Sequence, residues 1–386
     1  MQENFLPVDL EELADALTER KTPQLGSDFA RFLRLFTALQ RAKLQDLLAD
    51  LRLCYRALDP DTDTVSREEP SPEQAVNLRE RLHVHLVELL RQANYVELPQ
   101  EGLDQALTKV SPRGLAVSVD LEDFEELGIH YRGLYTREEE ARDWRYLYLK
   151  KRQWETPVYR RLFLFLKLQP GAEEGQEDAR FLYLKLFRDV PQSDLEMLLP
   201  NTRVRMRAFD KLKIGVTGGG GTAGGVLATV TKIGAAANPT TWALAIAGLA
   251  GVLWRQVSKI FVTRTRYLAD LAQQLYFCNL DNNYGALVHL ADVAQLEESK
   301  EAILAYAFLA TKEEGLTREE LDLEVEAYLA EHFGVQVDYE VEDGLAKLAR
   351  AGLLQRKGEK LCVPNPTEAF AQLDREWDDL FRPATT

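Results

Sequence analysis

Few residues of this chain are of a type and spacing that could do chemistry. Gly219, Gly221 and Gly224 match G-x-G-x-x-G, the pattern that lets a backbone approach a pyrophosphate. A dinucleotide site also needs an acid about 20 residues later for the ribose, and no acid occurs from Ile214 to Ala269. A Walker loop fails too, because Gly225 and Val226 stand where Lys and Ser or Thr are required. His83 and His85 lie two apart on a helical pattern and point to different sides. His130, His289 and His332 have no zinc-type neighbours in sequence. Acid pairs such as Glu122/Asp123 and Glu138/Glu139 fall in charged surface patterns, and no Ser, Cys or Lys sits in a nucleophile elbow. Cys54, Cys278 and Cys362 are far apart and form no C-x-x-C, which suits a reducing compartment. The chain therefore reads as a non-enzyme more readily than as an enzyme. No catalytic residue is assigned, and no metal or cofactor is expected.

A length of 386 residues allows two or three domains with real cores. The formal charge of -15 disfavours a nucleic-acid partner, which needs clustered Lys and Arg against phosphates. The acid-rich opening, MQENFLPVDLEELADALTER, has neither the apolar run of a secretory signal nor the composition of a transit peptide.

The elements that would carry any site follow from periodicity. Residues 5–58 read as helical, with Phe29, Phe32, Leu33, Phe36, Leu39, Leu47 and Leu51 mainly three and four apart and Ser27 or Asp28 as cap. After a polar break at 59–72, Ser71, Pro72 and Gln74 open a new helix with stripe Leu78, Leu82, Leu86 and Leu89. Period two follows: 158–169 and 180–190 are strands of an antiparallel hairpin, with 116–119 and 130–135 as further strands. Thr136 and Glu139 propose a helix through Trp144, and Ser193 with Glu196 a short one ending near Pro200. Apolar residues on both faces of the two main strands predict a sheet covered on both sides. Helices are then expected at 254–279, 284–296, 299–313, from Thr317 to His332, and at 341–351. A short strand beside Gly358 completes a winged-helix order.

Residues 214–254 form 41 residues with one charge, Lys232, dividing uncharged runs of 18 and 22. About 20 apolar residues make a membrane helix, so the expectation is two spans in an apolar hairpin. Asn238 and Pro239 start the second helix, and Trp242 and Trp254 mark its interfacial ends. Arg203, Arg205, Arg207, Lys211 and Lys213 precede the hairpin, and Arg255, Lys259, Arg264 and Arg266 follow it. Two basic collars predict that both soluble portions face the cytoplasm or its organellar equivalent. They also nominate membrane lipids, anionic ones included, as partners. Gly215, Gly219, Gly220, Gly221, Gly224 and Gly225 have the small-x-x-x-small spacing for helix packing, against the second span or in a homo-oligomer.

The string FRDVPQSDLEMLLPNTRVRM, from Phe187 to Met206, with the hairpin behind it and CYRAL at Cys54 to Leu58, resembles the DUF3754 family, which includes a mitochondrial transmembrane protein and many bacterial and plastid relatives. The resemblance implies membrane association and no particular reaction. A bacterial origin would place the protein in the plasma membrane or a thylakoid. The expected fold is α+β: a helical N-terminal region (1–110), an antiparallel sheet domain (111–210), an apolar transmembrane-type helical hairpin (211–257), a helical connector (258–300) and a C-terminal winged-helix-like domain (301–386). The expected function is a membrane-anchored scaffold or adaptor, with a homo-oligomer or a protein as partner. The alternatives are a membrane-bound enzyme with a non-local site and an oligomeric channel or transporter component.

Overall fold

The computed structural model describes residues 5–64, 71–99, 116–118, 120–142, 151–171, 178–199, 203–205 and 276–380. Helix α1 (Leu10–Leu25) starts at Asp9, whose carboxylate accepts from the Glu11 and Glu12 amides. Gly26 and Ser27 then turn the chain into α2 (Asp28–Tyr55). The Ser71/Gln74 capping box forms as the spacing predicts and opens α3 (Pro72–Gln92). Five antiparallel strands follow in the order β1 (Val96–Glu97), β3 (Phe124–Arg142), β4 (Lys151–Leu168), β5 (Tyr183–Pro191) and β7 (Asn279–Asn282). The 116–119 segment does not join them. It supplies β2 (Ala116–Ser118), which pairs with β6 (Arg203–Arg205) in a separate two-stranded sheet. The helix expected after Thr136 is also absent, because β4 pairs with β3 as far as Arg142 and holds it extended.

Helix α4 (Asn283–Leu309) is one continuous element where two helices are expected. Beyond it lie α5 (Arg318–Phe333), opened by the Thr317/Glu320 capping box, then α6 (Val341–Arg350), the hairpin β8 (Gln355–Lys357) and β9 (Lys360–Cys362), and α7 (Pro366–Asp379). A bridge from Leu316 to Leu361 adds a third, one-residue strand to that hairpin.

Three cores hold these elements, and α4 enters two of them. Its second half packs with α1, the start of α2, and α5 to α7; Tyr306 stacks on Phe32 with ring centroids 3.9 Å apart. Its first half packs with the end of α2, with α3, and with Phe163, Phe165, Leu184 and Leu186 of the sheet. The opposite sheet face is covered by the 3-10 turn Gln192–Leu198, which buries Leu195 and Leu198 there together with Leu199. The FRDVPQSDLEMLL stretch is thus a strand, a turn and a leucine lid.

A fault line crosses the sheet. On the lidded face the alternation breaks at the edge bulge between Phe124 and Glu126 and again in mid-sheet, where each of the three central strands takes a step of three: Tyr131 to Leu134, Tyr159 to Leu162 and Phe187 to Val190. The steps are in register, since Tyr131, Leu162 and Phe187 face one another, as do Leu134, Tyr159 and Val190. A period-two strand can only do this by leaving β geometry, and Gly133 (φ 72°) and Asp189 (φ 52°) supply the turn in the outer two strands. The Tyr135 hydroxyl donates to Asp189 Oδ1 at 3.1 Å and steadies it.

The membrane expectations are corrected here. No helix among the described residues is long and apolar enough to cross a membrane. The most apolar long helix, α4, carries Glu297, Glu298, Lys300 and Glu301 through its middle, and hydrocarbon offers such groups no partners. The hairpin at 211–257 lies outside the described residues. The transmembrane-type fold class, the membrane-anchored scaffold, the lipid partners with their homo-oligomer or protein partner, and the two-span localisation with cytoplasmic termini are withdrawn. What stands is an α+β fold with N-terminal helices and an antiparallel sheet.

Replacing Gly133 with alanine forces a Cβ into left-handed backbone, which costs about 1–2 kcal/mol. A lowered urea midpoint with an unchanged m-value is the expected result; an unchanged midpoint would remove the fault line as a structural requirement.

Candidate functional site

Helix α4 is enclosed by the sheet, by α2 and α3, and by the C-terminal helices, so side chains on every side of it are buried. That includes Glu297, Glu298, Ser299, Lys300 and Glu301, none more than 5% exposed. Charges taken out of water must be paired and hydrogen-bonded. Here each direction around the helix supplies a different partner.

Toward the sheet, Glu297 Oε1 accepts from Arg132 at 2.5 Å and from Lys300 at 2.7 Å. Its Oε2 accepts from the Leu6 amide at 3.1 Å, and Lys300 Nζ donates to the Leu6 carbonyl at 2.6 Å. Burial lowers the Lys300 pKa, and the Glu297 carboxylate opposes that shift. Toward α6, Glu298 accepts from Lys347 and, at 3.3 Å, from Arg350. Arg91 of α3 forks onto Asp343 at 2.7 and 2.8 Å. Gly344 lets α6 approach so closely that a Cβ there would lie 2.8 Å from the Glu301 carbonyl. Toward the end of α3, Glu301 Oε1 accepts from Asn94 at 3.3 Å, while its Oε2 has no hydrogen-bond partner. Burial first, and then the Glu297 charge, raise the Glu301 pKa well above the carboxylate range. Its surroundings therefore favour the neutral acid at Glu301, unlike the paired carboxylates beside it.

The fault line brings a second set of charges to this seam. Arg132 of β3, Arg161 of β4 and Arg188 of β5 face one another directly across the strands. Among the described residues, only Arg132 receives a carboxylate. Arg161 donates to the Arg160 carbonyl at 2.9 Å, and Arg188 to the Phe277 carbonyl at 3.4 Å. Tyr95 locates the row on the helix side of the sheet. Burial pushes its pKa up to about 12, against the opposing charges of Arg132 and Arg161. The row runs outward from Arg132, 11% exposed in its side chain, through half-buried Arg161 to exposed Arg188.

Of the residues nominated from sequence, Arg203 and Arg205 lie in β6. Arg207, Lys211, Lys213, Trp242, Trp254, Arg255, Lys259, Arg264, Arg266 and the six glycines from Gly215 to Gly225 lie outside the described residues. The charged seam was missed because EESKE (297–301) reads as a polar break. The available signal was the absence of Gly, Pro or Asn between the apolar runs on either side of it. Among the described residues, no three His, Cys, Asp or Glu side chains converge as a metal set.

A family described as a protein of unknown function (DUF3754) matches residues 158–285, about a third of the chain. The match runs from β4 to the first turn of α4 and contains Arg161 and Arg188. No solved structure matches the chain significantly.

The raised pKa of Glu301 gives stability a pH slope of definite sign. Its folded pKa lies above its unfolded one, near 4.3, so the unfolded chain ionises first as pH rises and stability falls from about pH 4 upward. Glu301→Gln removes that loss. Its urea midpoint should gain on the parent chain as pH rises above about 4, the gain vanishing below that. A pH-independent difference would show that Glu301 is ionised in the fold.

Proposed function

We propose that this protein binds an anionic ligand, taking a phosphate or carboxylate group at the arginine row Arg132–Arg161–Arg188. The observation that carries this is the direct cross-strand register of three guanidinium groups, of which, among the described residues, only the innermost meets a carboxylate. Like charges directly opposite one another destabilise a sheet, and an anion spanning Arg161 and Arg188 would relieve that cost. Arginine forks suit such oxygens bidentately. The ion pair between Glu297 and Arg132 pins the inner end of the row. Arg161 and Arg188 fall within the DUF3754 match. We infer further that the chain stands with the bacterial and plastid members of that family; the FRDVPQSDLEMLLPNTRVRM string supports this.

The C-terminal portion, 301–386, we read as a winged-helix-like unit. The succession of α4, the Leu316 bridge, α5, α6 and the β8–β9 hairpin supports it. Its α6 offers Lys347 and Arg350, but both are tied to Glu298. The ligand is therefore assigned to the sheet.

Calorimetric titration of the full chain with inorganic pyrophosphate and, separately, with citrate tests the reading and separates phosphate from carboxylate chemistry. Binding of at least one is expected. Arg161→Gln and Arg188→Gln should each weaken it about tenfold, a loss of about 1.4 kcal/mol, and raised salt should weaken it further. Binding of neither anion, or binding indifferent to both substitutions, would refute it.

A further inference from the structure

Residues Phe5 to Val8 are bound as a ligand would be. They form no helix or strand, yet Phe5, Leu6 and Val8 are all buried. Glu297 and Lys300, one turn apart on α4, grip a single residue: the carboxylate takes the Leu6 N–H at 3.1 Å, and the ammonium gives to the Leu6 C=O at 2.6 Å. Both gripping side chains are themselves less than 10% exposed. The Leu6 and Val8 side chains enter the first core. The Phe5 ring lies beneath the Arg132 guanidinium at 4.2 Å and the Arg160 guanidinium at 5.7 Å. Pro7, exposed, brings no N–H that would need satisfying.

Simple anchoring of a chain segment needs apolar burial alone. Burying a lysine and a glutamate is costly, and their hydrogen bonds here go to main-chain groups that every peptide possesses. Recognition of backbone polar groups by fixed donors and acceptors, with side-chain pockets on either side, is how extended peptides are bound. The cation–π contacts select an aromatic residue at the first position, and the core selects an aliphatic one at the second.

We propose that the Glu297–Lys300 clamp is a recognition site for an extended peptide carrying an aromatic residue followed by an aliphatic one, and that Phe5–Leu6 occupies it from within the same chain. The tether gives the internal segment an effective concentration that outcompetes dilute peptide. The site is thus closed at rest and opens to a peptide when the segment is weakened. This rests on the clamp and Arg132 and not on Arg161 or Arg188, whose substitution tests the anion reading, so the two proposals fail separately.

The test uses a fluorescein-labelled peptide with the sequence of residues 3–10, ENFLPVDL, and fluorescence anisotropy. A full chain with Phe5→Ala and Leu6→Ala should bind it at least tenfold more tightly than the unaltered chain. Adding Lys300→Met should abolish that binding, and a peptide with alanine at the positions of Phe5 and Leu6 should not bind. Equal binding to both chains, or none to a variant that melts cooperatively, would overturn the proposal. If the double variant does not fold, the unaltered chain serves, with the peptide at millimolar concentration and benzoyl-phenylalanine in place of its Phe. Photocrosslinks are then expected on β3 near Arg132 and on α4 near Glu297, and crosslinks confined to other places would overturn it.

Discussion

Helix α4 can lie at the centre of this fold only because every charge in its middle finds an opposite charge or remains protonated. Glu297 is the strictest case. It is almost wholly removed from water and accepts from Arg132, Lys300 and the Leu6 amide at once. The three come from a strand, from its own helix and from the N-terminal segment, so one carboxylate ties together parts of the chain far apart in sequence. A buried pair of this kind contributes modest net stability, since desolvation offsets attraction, yet removing one member leaves a bare charge inside. The fold is thereby made specific: α4 has one rotation about its axis at which Glu297, Glu298 and Glu301 each meet their partners.

The fault line in the sheet belongs to the same arrangement. Without the three-residue step at Gly133 and Asp189, residues beyond it would exchange faces. An uninterrupted period of two in β3 and β5 would put Leu134 and Val190 on the helix side. With the step, the rung Arg132–Arg161–Arg188 stays on the helix side, beside Tyr95 and below α4, while Leu134, Tyr159 and Val190 stay under the leucine lid. The backbone irregularity, the arginine register and the buried glutamate are parts of one device, and the binding readings both issue from it. One uses the outer arginines, the other the inner clamp.

Local chemistry was readable from the residues wherever it was self-contained. The capping boxes at Ser71/Gln74 and Thr317/Glu320 form as their spacing predicts, and the central runs of β4 and β5 show in their alternation. Where distant pairing decides, the residues mislead. Thr136 and Glu139 offer a helix cap, but β4 holds that stretch extended through Arg142. EESKE looks solvated because, apart from its own Lys300, its counter-charges lie in β3 and α6 and its Asn94 partner just past α3, none of these within 30 residues. Gly133 and Asp189 are ordinary residues until the register shows that they face a common rung. The basic and glycine-rich centre, the most conspicuous part of the sequence, lies outside the described residues and carries none of the account.

A double-mutant cycle on Arg132→Met and Glu297→Leu, followed by urea unfolding, tests the central claim most directly. Each single change should cost about 3–5 kcal/mol, because it strands the other charge in the core. The double variant should be destabilised by less than the sum, by well over about 1 kcal/mol. Losses that add to within about 0.5 kcal/mol would mean that the two residues do not depend on one another. The seam would then not be what holds α4 in place.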